Sequence, residues 1–113
     1  MKYAQTPSLQ SELLALSHEI GGKLARLRKA RRLRQSDVAL RAGVSRSTAV
    51  LVESGDPGRT LSQVLRYLNA IAPGSTLLEL LQDTDPALLS LRQSEETRRV
   101  RKLSEAELGE LDF

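Results

Sequence analysis

The sequence predicts an all-α fold, and three observations support that prediction. Only 3% of the 113 residues are aromatic, so leucine, valine, isoleucine and alanine must form the core. These apolar residues recur every three or four positions, which is the spacing that lines one face of a helix. The chain contains no run of alternating β-branched residues of the kind that indicates a strand.

The first helical pattern runs from Ser8 to Arg32, and Pro7 suits a helix start. Gly21 and Gly22 interrupt it, and each glycine weakens a helix by about 1 kcal/mol. We therefore predict a break near residues 19–22, between an N-terminal helical arm and the first helix of a domain. The arm carries a leucine stripe that either packs on its own domain or pairs with a second copy: Leu9, Leu13 and Leu16.

Four further helices are predicted between residues 35 and 82. The second helix runs from Gln35 to Ala42 and ends at Gly43, because glycine accepts the left-handed backbone of a tight turn. The third begins with Ser45 as its N-cap and is stopped by "GDPG" at 55–58. Thr60 and Gln63 have capping-box spacing and open a fourth helix. Its predicted buried stripe is Leu61, Val64, Leu65, Leu68 and Ile71, and Ser75 or Thr76 caps a fifth helix through "LLELLQ".

The pattern thins after Asp85-Pro86. The stretch "RQSEETRRVRK" is almost wholly polar and is expected to bury too little apolar surface to become ordered. The last ten residues, "SEAELGELDF", resemble a short amphipathic helix that needs a partner surface. The predicted organisation is an N-terminal helical arm (1–19), a domain (20–83) and a charged, partly disordered C-terminal tail (84–113).

The charge is distributed unevenly along the chain. Twelve basic and five acidic residues occur up to Leu78, against five basic and nine acidic residues from Glu79 onward. The basic body of the chain, residues 1–78, suggests a polyanionic partner, because neutralising phosphates releases condensed counterions. A solvated surface without a charged partner explains the same composition.

Several classes of function are disfavoured. The absence of cysteine excludes disulfides and thiolate chemistry, and no segment has the length of a membrane span or the apolar core of a signal peptide. His18 has no ligand partners for a metal site, and no nucleophile motif, phosphate loop or carboxylate pair is present. We expect a cytoplasmic protein that is not an enzyme, uses no cofactor and has no membrane partner.

The segment from Gln35 to Ser54 has what two helices joined by a turn require: small residues at the crossing, a glycine in the turn and apolar anchors. These are Val38, Ala39, Ala42, Gly43, Val44, Ala49 and Val52. The stretch "RKARRLRQSDVALRAGVSRSTAVLVESG" resembles the helix-turn-helix of the phage-repressor and Xre-like regulators. The resemblance covers residues 20–81 and implies a five-helix, lambda-repressor-like domain that binds double-stranded DNA, commonly as a homodimer on two half-sites.

The resemblance also implies phosphate contacts. Gln35, at the start of the second helix, would meet a phosphate, since helix N-termini attract anions. Thr48 and Arg59 would contact backbone phosphates. Arg34 stands where the family usually has a threonine N-cap, which costs about 1 kcal/mol of helix stability but adds a charge that can reach a phosphate.

The resemblance assigns the outward residues of the third helix to the major groove: Ser45, Arg46, Ser47, Val50 and Leu51. Arg46 is the candidate for base readout, because a guanidinium pairs bidentately with guanine. Ala49 and Val52 would face inward, so Val50 and Leu51 must face outward, where polar residues are usual. They would contact thymine methyl groups or form a protein-facing patch. The basic body and Arg46 favour the DNA contact.

The resemblance implies different roles for the basic residues near the motif. Arg28 and Glu53 resemble the internal ion pair of the family, whereas Arg31, Arg32 and Arg34 would form an electrostatic rim beside DNA. Arg32 replaces a common glycine at a position that requires the left-handed conformation. The tail segment "RRVRK" would be an arm in a minor groove or a solvated linker.

A second class of function stays open. The stretch "SGDPGRTLSQVLRYLNAI", followed by a leucine segment and a charged tail, is similar to HipB-like antitoxins. That similarity implies a kinase-type toxin as partner and repression of a shared operon, with the acidic end of the chain as a candidate contact. The sequence thus supports a DNA-binding repressor or an antitoxin.

Overall fold

The computed structural model describes the backbone of residues 7–111 and the side chains of residues 10–104. Within that part of the chain every regular element is a helix and no strand is present. The helices are α1 (Pro7–Ala30), α2 (Gln35–Ala42), α3 (Arg46–Ser54), α4 (Leu61–Ile71), α5 (Leu77–Gln82) and α6 (Pro86–Leu111). The predicted all-α fold is confirmed.

Helix α1 passes through Gly21 and Gly22 without interruption, so the predicted break near residues 19–22 is wrong, and α1 crosses the predicted boundary between arm and domain. Gly21 is buried where α1 crosses the end of α3. A Cβ atom there would lie 2.4 Å from the backbone nitrogen of Gly55 and 2.7 Å from the carbonyl oxygen of Glu53. Across the same crossing Ser17 donates a 2.5 Å hydrogen bond to the carbonyl of Gly55. Gly21 therefore marks a close contact between α1 and the end of α3, and not a break in α1.

The predicted caps of α4 and α5 are confirmed. Thr60 accepts a hydrogen bond from the backbone N–H of Gln63, whose side chain accepts one from the N–H of Thr60. Of the two candidate caps for α5, the structure uses Thr76, which forms the same reciprocal pair with Glu79. Each capping box satisfies two backbone donors that a helix N-terminus leaves free.

The core lies between α1, α2, α3 and α4, with one side closed by α5 and α6. Its largest fully buried side chains are Tyr67, Leu24, Leu27, Leu68, Leu88 and Val38. The predicted buried stripe of α4 is wrong at Leu61 and Leu65, which are 63% and 42% exposed. Tyr67 takes the inward position instead, because its ring completes the inward face with Leu68 and Ile71 while its hydroxyl finds a buried partner.

The predicted lack of order in the tail differs from the structure, in which residues 86–111 form one helix. Pro86 occupies a favoured first helical position, and the Asp85 side chain accepts a 2.9 Å hydrogen bond from the N–H of Ala87. Leu88 is buried to 2% exposure and attaches the first turn to the core. The predicted amphipathic face of the last residues (Leu108, Leu111 and Phe113) lies outside the described side chains.

Three ion pairs join α1 and the turn after it to the segment that contains the start of α6. They are Lys23–Asp83 at 2.9 Å, Arg31–Asp85 at 2.7 Å and Arg26–Glu95 at 3.1 Å. The hydrogen bond from Lys23 is the main cause that lowers the pKa of Asp83. Each partly exposed pair contributes at most about 1 kcal/mol, but together they fix the direction in which α6 leaves the domain. Arg31, predicted in the DNA-facing rim, is engaged with Asp85.

Candidate nucleic-acid interface

The turn between α2 and α3 is built as predicted. Gly43 adopts a left-handed backbone with φ of 69°. Its N–H donates to the carbonyl of Leu40, and the N–H of Val44 donates to the carbonyl of Ala39. This pair of bonds is the Schellman arrangement, which ends α2 sharply and leaves only residues 43–45 between α2 and α3.

Helix α3 begins with a network of hydroxyl groups. Ser45 is the predicted N-cap, and its Oγ accepts a 3.1 Å hydrogen bond from the N–H of Thr48. The same hydroxyl donates to Oγ1 of Thr48 at 2.9 Å and lies 3.1 Å from Oγ of Ser47. The three side chains predicted at the DNA surface are therefore held together at one helix end.

The two faces of α3 separate as the sequence predicted. Ala49 and Val52 are buried at 0% and 2% exposure, whereas Val50 and Leu51 are 49% and 37% exposed. Arg46 is exposed as well, and among the described residues it has no acidic partner within ion-pair distance. The outward face of α3 thus presents one free cation beside two apolar side chains.

The C-terminal half of α3 is fixed by a three-residue polar network. Arg28 donates to both carboxylate oxygens of Glu53, at 2.6 and 3.0 Å, and to the carbonyl of Leu33 at 2.9 Å. The expected Arg28–Glu53 pair is confirmed. The Tyr67 hydroxyl, which sequence analysis missed, donates to the same carboxylate. The hydrogen bond from Arg28 to Glu53 raises the pKa of Arg28, and burial together with the Glu53 contact raises that of Tyr67.

This network joins α1, α3 and α4 through one carboxylate. A buried tyrosine normally finds a hydrogen-bond partner, so the position of Tyr67 one turn from the apolar residues of α4 was the signal that could have revealed it. Together with the glycine crossing, the network sets the angle at which α3 stands on the domain.

The start of α2 lies beside the turn from α1. Arg34 is the N-cap residue, and its side chain makes no capping hydrogen bond, as the sequence led us to expect. Gln35 is the first helical residue and is half-buried. Arg32 has a φ of 58°, which confirms the left-handed conformation expected at that position.

Arg59 is positioned by an acidic neighbour. Its Nε lies 3.2 Å from a carboxylate oxygen of Asp56, and that oxygen also accepts a hydrogen bond from the N–H of Gly58. The predicted phosphate contact would therefore use the remaining guanidinium nitrogens of Arg59.

A comparison with known protein families identifies the family to which this chain belongs. A family model described as a helix-turn-helix domain matches residues 19–81, which are 63 of the 113 residues. The chain belongs to the helix-turn-helix domain family. No curated protein and no solved structure matches it in the same comparisons. The part of α1 before Glu19 and all of α6 lie outside the matched region of this helix-turn-helix protein.

The family supports DNA binding, and helix-turn-helix domains are typically not enzymes. Among the described helices, none is long and apolar enough to cross a membrane. The described residues also contain no group of three or more histidine or acidic side chains that could hold a metal ion.

Proposed function

We propose that this helix-turn-helix protein is a sequence-specific transcriptional regulator that acts in the cytoplasm as a repressor. The observation that supports the proposal most strongly is the outward face of α3. Arg46, Val50 and Leu51 are exposed on a helix whose other face is anchored in the core. In helix-turn-helix proteins the second helix of the motif lies in the major groove.

In this proposal different residues of α3 recognise different bases of the DNA sequence. Arg46 donates to guanine O6 and N7, and Val50 and Leu51 contact thymine methyl groups, which are the only apolar groups on the floor of the major groove. Ser45 and Ser47 stand at the rim of that contact.

Backbone contacts would set the register of the complex. The N-terminus of α2, with Arg34 and Gln35, and the N-terminus of α3, with Thr48, both present backbone N–H groups and partial positive charge to phosphates. Arg59 lies on the loop after α3 and would contact the backbone on the other side of the motif. Phosphate contacts position the protein and carry no sequence information.

We further propose that the repressor binds DNA as a homodimer. Leu13 and Leu16 on the first half of α1 are 48% and 54% exposed, which supports pairing with a second copy over packing on the same domain. Leu9, the third member of the predicted stripe, lies outside the described side chains. A second copy would cover these leucines and place two α3 helices on half-sites about one helical turn apart.

The test is fluorescence anisotropy on DNA from the protein's own upstream region and on a scrambled duplex, over a salt series. We expect a large difference in affinity between the two duplexes and a steep decrease with salt. Arg46→Ala should remove the difference, whereas Arg66→Ala, which deletes an exposed cation on α4, should keep it. Equal binding of the wild type to both duplexes would refute sequence-specific regulation.

The rival function is a HipB-like antitoxin, and the exposed apolar pair on α3 is the observation that favours it. Leu51→Ala distinguishes the two. A loss of about 1 to 3 kcal/mol in DNA binding is expected if Leu51 contacts a base. A variant that binds DNA normally but no longer binds the product of a neighbouring kinase-like gene would assign this surface to a toxin partner.

A further inference from the structure

A groove of about 380 Å³ lies between the last turn of α1 and the first half of α6. Ala30 from α1 and Ala87 and Leu91 from α6 form its apolar floor. Three cationic side chains line it: Lys29 and Arg32 from the end of α1 and its turn, and Arg98 from α6. No acidic residue belongs to its lining.

These three cations differ from the other basic residues at the same helix pair. Arg31 and Arg26 are engaged with Asp85 and Glu95. Within the described part of the chain, Lys29, Arg32 and Arg98 have no acidic partner within 4 Å. Asp85 and Glu95 are therefore already paired, although Glu95 also attracts Arg98 at longer range, and Lys29 and Arg32 supply the positive charge that the groove keeps uncompensated.

Hydroxyl donors extend the cationic lining along α6. Ser90, Ser94 and Arg98 follow one another at intervals of four residues, which places them in a row on the side of α6 that faces the end of α1. A tetrahedral anion with several acceptor oxygens suits a site that combines guanidinium, ammonium and hydroxyl donors.

The groove adjoins the surface through which the helix-turn-helix would meet DNA. Arg32 lies two residues before Arg34, the N-cap of α2, and two residues of chain span at most about 7 Å. The ion pairs between α1 and the segment 83–95 hold α6 in this position. A phosphate next to the one proposed at the start of α2 would come within reach of the groove.

We propose that this groove binds a phosphate of the DNA backbone that flanks the bases contacted by α3, which makes α6 part of the DNA-binding surface. The inference rests on the proposed function for its ligand, and it adds a contact outside the matched helix-turn-helix region. Because a phosphate contact is independent of base sequence, it strengthens binding to specific and scrambled DNA equally.

The experiment compares Lys29→Gln/Arg98→Gln with the control Arg41→Gln/Arg66→Gln by anisotropy on both duplexes between 50 and 200 mM salt. The control removes two exposed cations outside the groove and causes the same change in net charge. Each phosphate contact contributes about 0.9 to the slope of log affinity against log salt. Loss of the one phosphate contact therefore makes the loss of affinity over this fourfold range roughly three- to fourfold smaller than for the wild type.

We expect that reduced slope on both duplexes for the groove variant and a slope near that of the wild type for the control. Circular dichroism of both variants checks that the fold is kept. Equal slopes for the groove variant and the control overturn the groove, and so does a reduction limited to the specific duplex. A wild type without sequence preference overturns the proposed function alone, since the slope on scrambled DNA still tests the groove. A wild type that binds neither duplex overturns both.

Discussion

The neighbouring glycines of α1 should respond oppositely to the same substitution. A Cβ atom on Gly21 would lie 2.4 Å from a backbone nitrogen, whereas a Cβ on Gly22 meets no atom within 4 Å. Ordinary contact begins near 3.4 Å, so Gly21→Ala must move α1 and α3 apart by about 1 Å. Overpacking of a well-packed contact costs about 1 to 3 kcal/mol. Because backbone atoms oppose the new methyl group, we expect the upper end of that range.

Alanine also favours the helix over glycine by about 1 kcal/mol, and this gain applies at both positions. Gly21→Ala should therefore lower the free energy of unfolding by about 2 kcal/mol, while Gly22→Ala should raise it by about 1 kcal/mol. Urea denaturation followed by circular dichroism at 222 nm measures both changes. If Gly21→Ala stabilised the protein as Gly22→Ala does, the close crossing of α1 and α3 would be refuted. If Gly22→Ala had no effect, a continuous α1 would be in doubt.

Three further substitutions test the polar contacts. Tyr67→Phe should lower the free energy of unfolding by about 1 kcal/mol, because Glu53 loses one hydrogen-bond donor. Because the pKa of Tyr67 is raised in the folded protein, the wild type loses this extra stability as pH rises above about 10. The urea midpoints of the two proteins should therefore converge at pH 11. A difference between the midpoints that stays constant with pH would contradict the contact. Asp83 has a left-handed backbone with φ of 54°, which asparagine tolerates, so Asp83→Asn keeps the backbone but breaks the ion pairs with Lys23 and Arg92. Since the pKa of Asp83 is lowered, the wild type should be more stable at pH 7 but lose that lead as pH falls below about 4; a difference that persists at pH 3 would not come from the ion pair. Arg34→Thr should supply the missing N-cap and stabilise α2 by about 1 kcal/mol in thermal melts while weakening DNA binding, and unchanged binding would remove Arg34 from the interface.

Local signals predicted the helix-turn-helix well because they are encoded in short spacings. Gly43, Ser45 and the pair of Thr60 with Gln63 act within one turn of a helix, so their types and positions suffice to place the helix ends. The family resemblance placed Ala49 inward, and the helical period then placed Val50 outward.

The errors occurred where the outcome depends on contacts between distant segments. Gly21 weakens a helix in isolation, but its partner Gly55 is 34 residues away, and only the fold shows that they meet. The tail looked disordered because its own residues bury little, whereas Arg26 on α1 and Arg31 in the turn after it provide ion-pair partners for its first half. The groove at Arg98 was not predicted for the same reason, since its lining comes from two ends of the chain.

A substitution of Arg32 should change both the stability of the fold and the proposed DNA binding. A non-glycine residue in the left-handed region costs about 1 to 2 kcal/mol. Arg32 has a φ of 58° there, and none of the acidic side chains that the structure describes forms an ion pair with it. Residues that oppose local structural preference are expected at functional sites. Arg32→Gly should therefore raise the free energy of unfolding by about 1 kcal/mol and at the same time weaken DNA binding and reduce its salt slope by at most about 0.9. Stability comes from urea denaturation and the slope from anisotropy on the scrambled duplex. A gain in stability with an unchanged slope would show that Arg32 is a solvated side chain, and the cation of the groove would then be limited to α6 and Lys29.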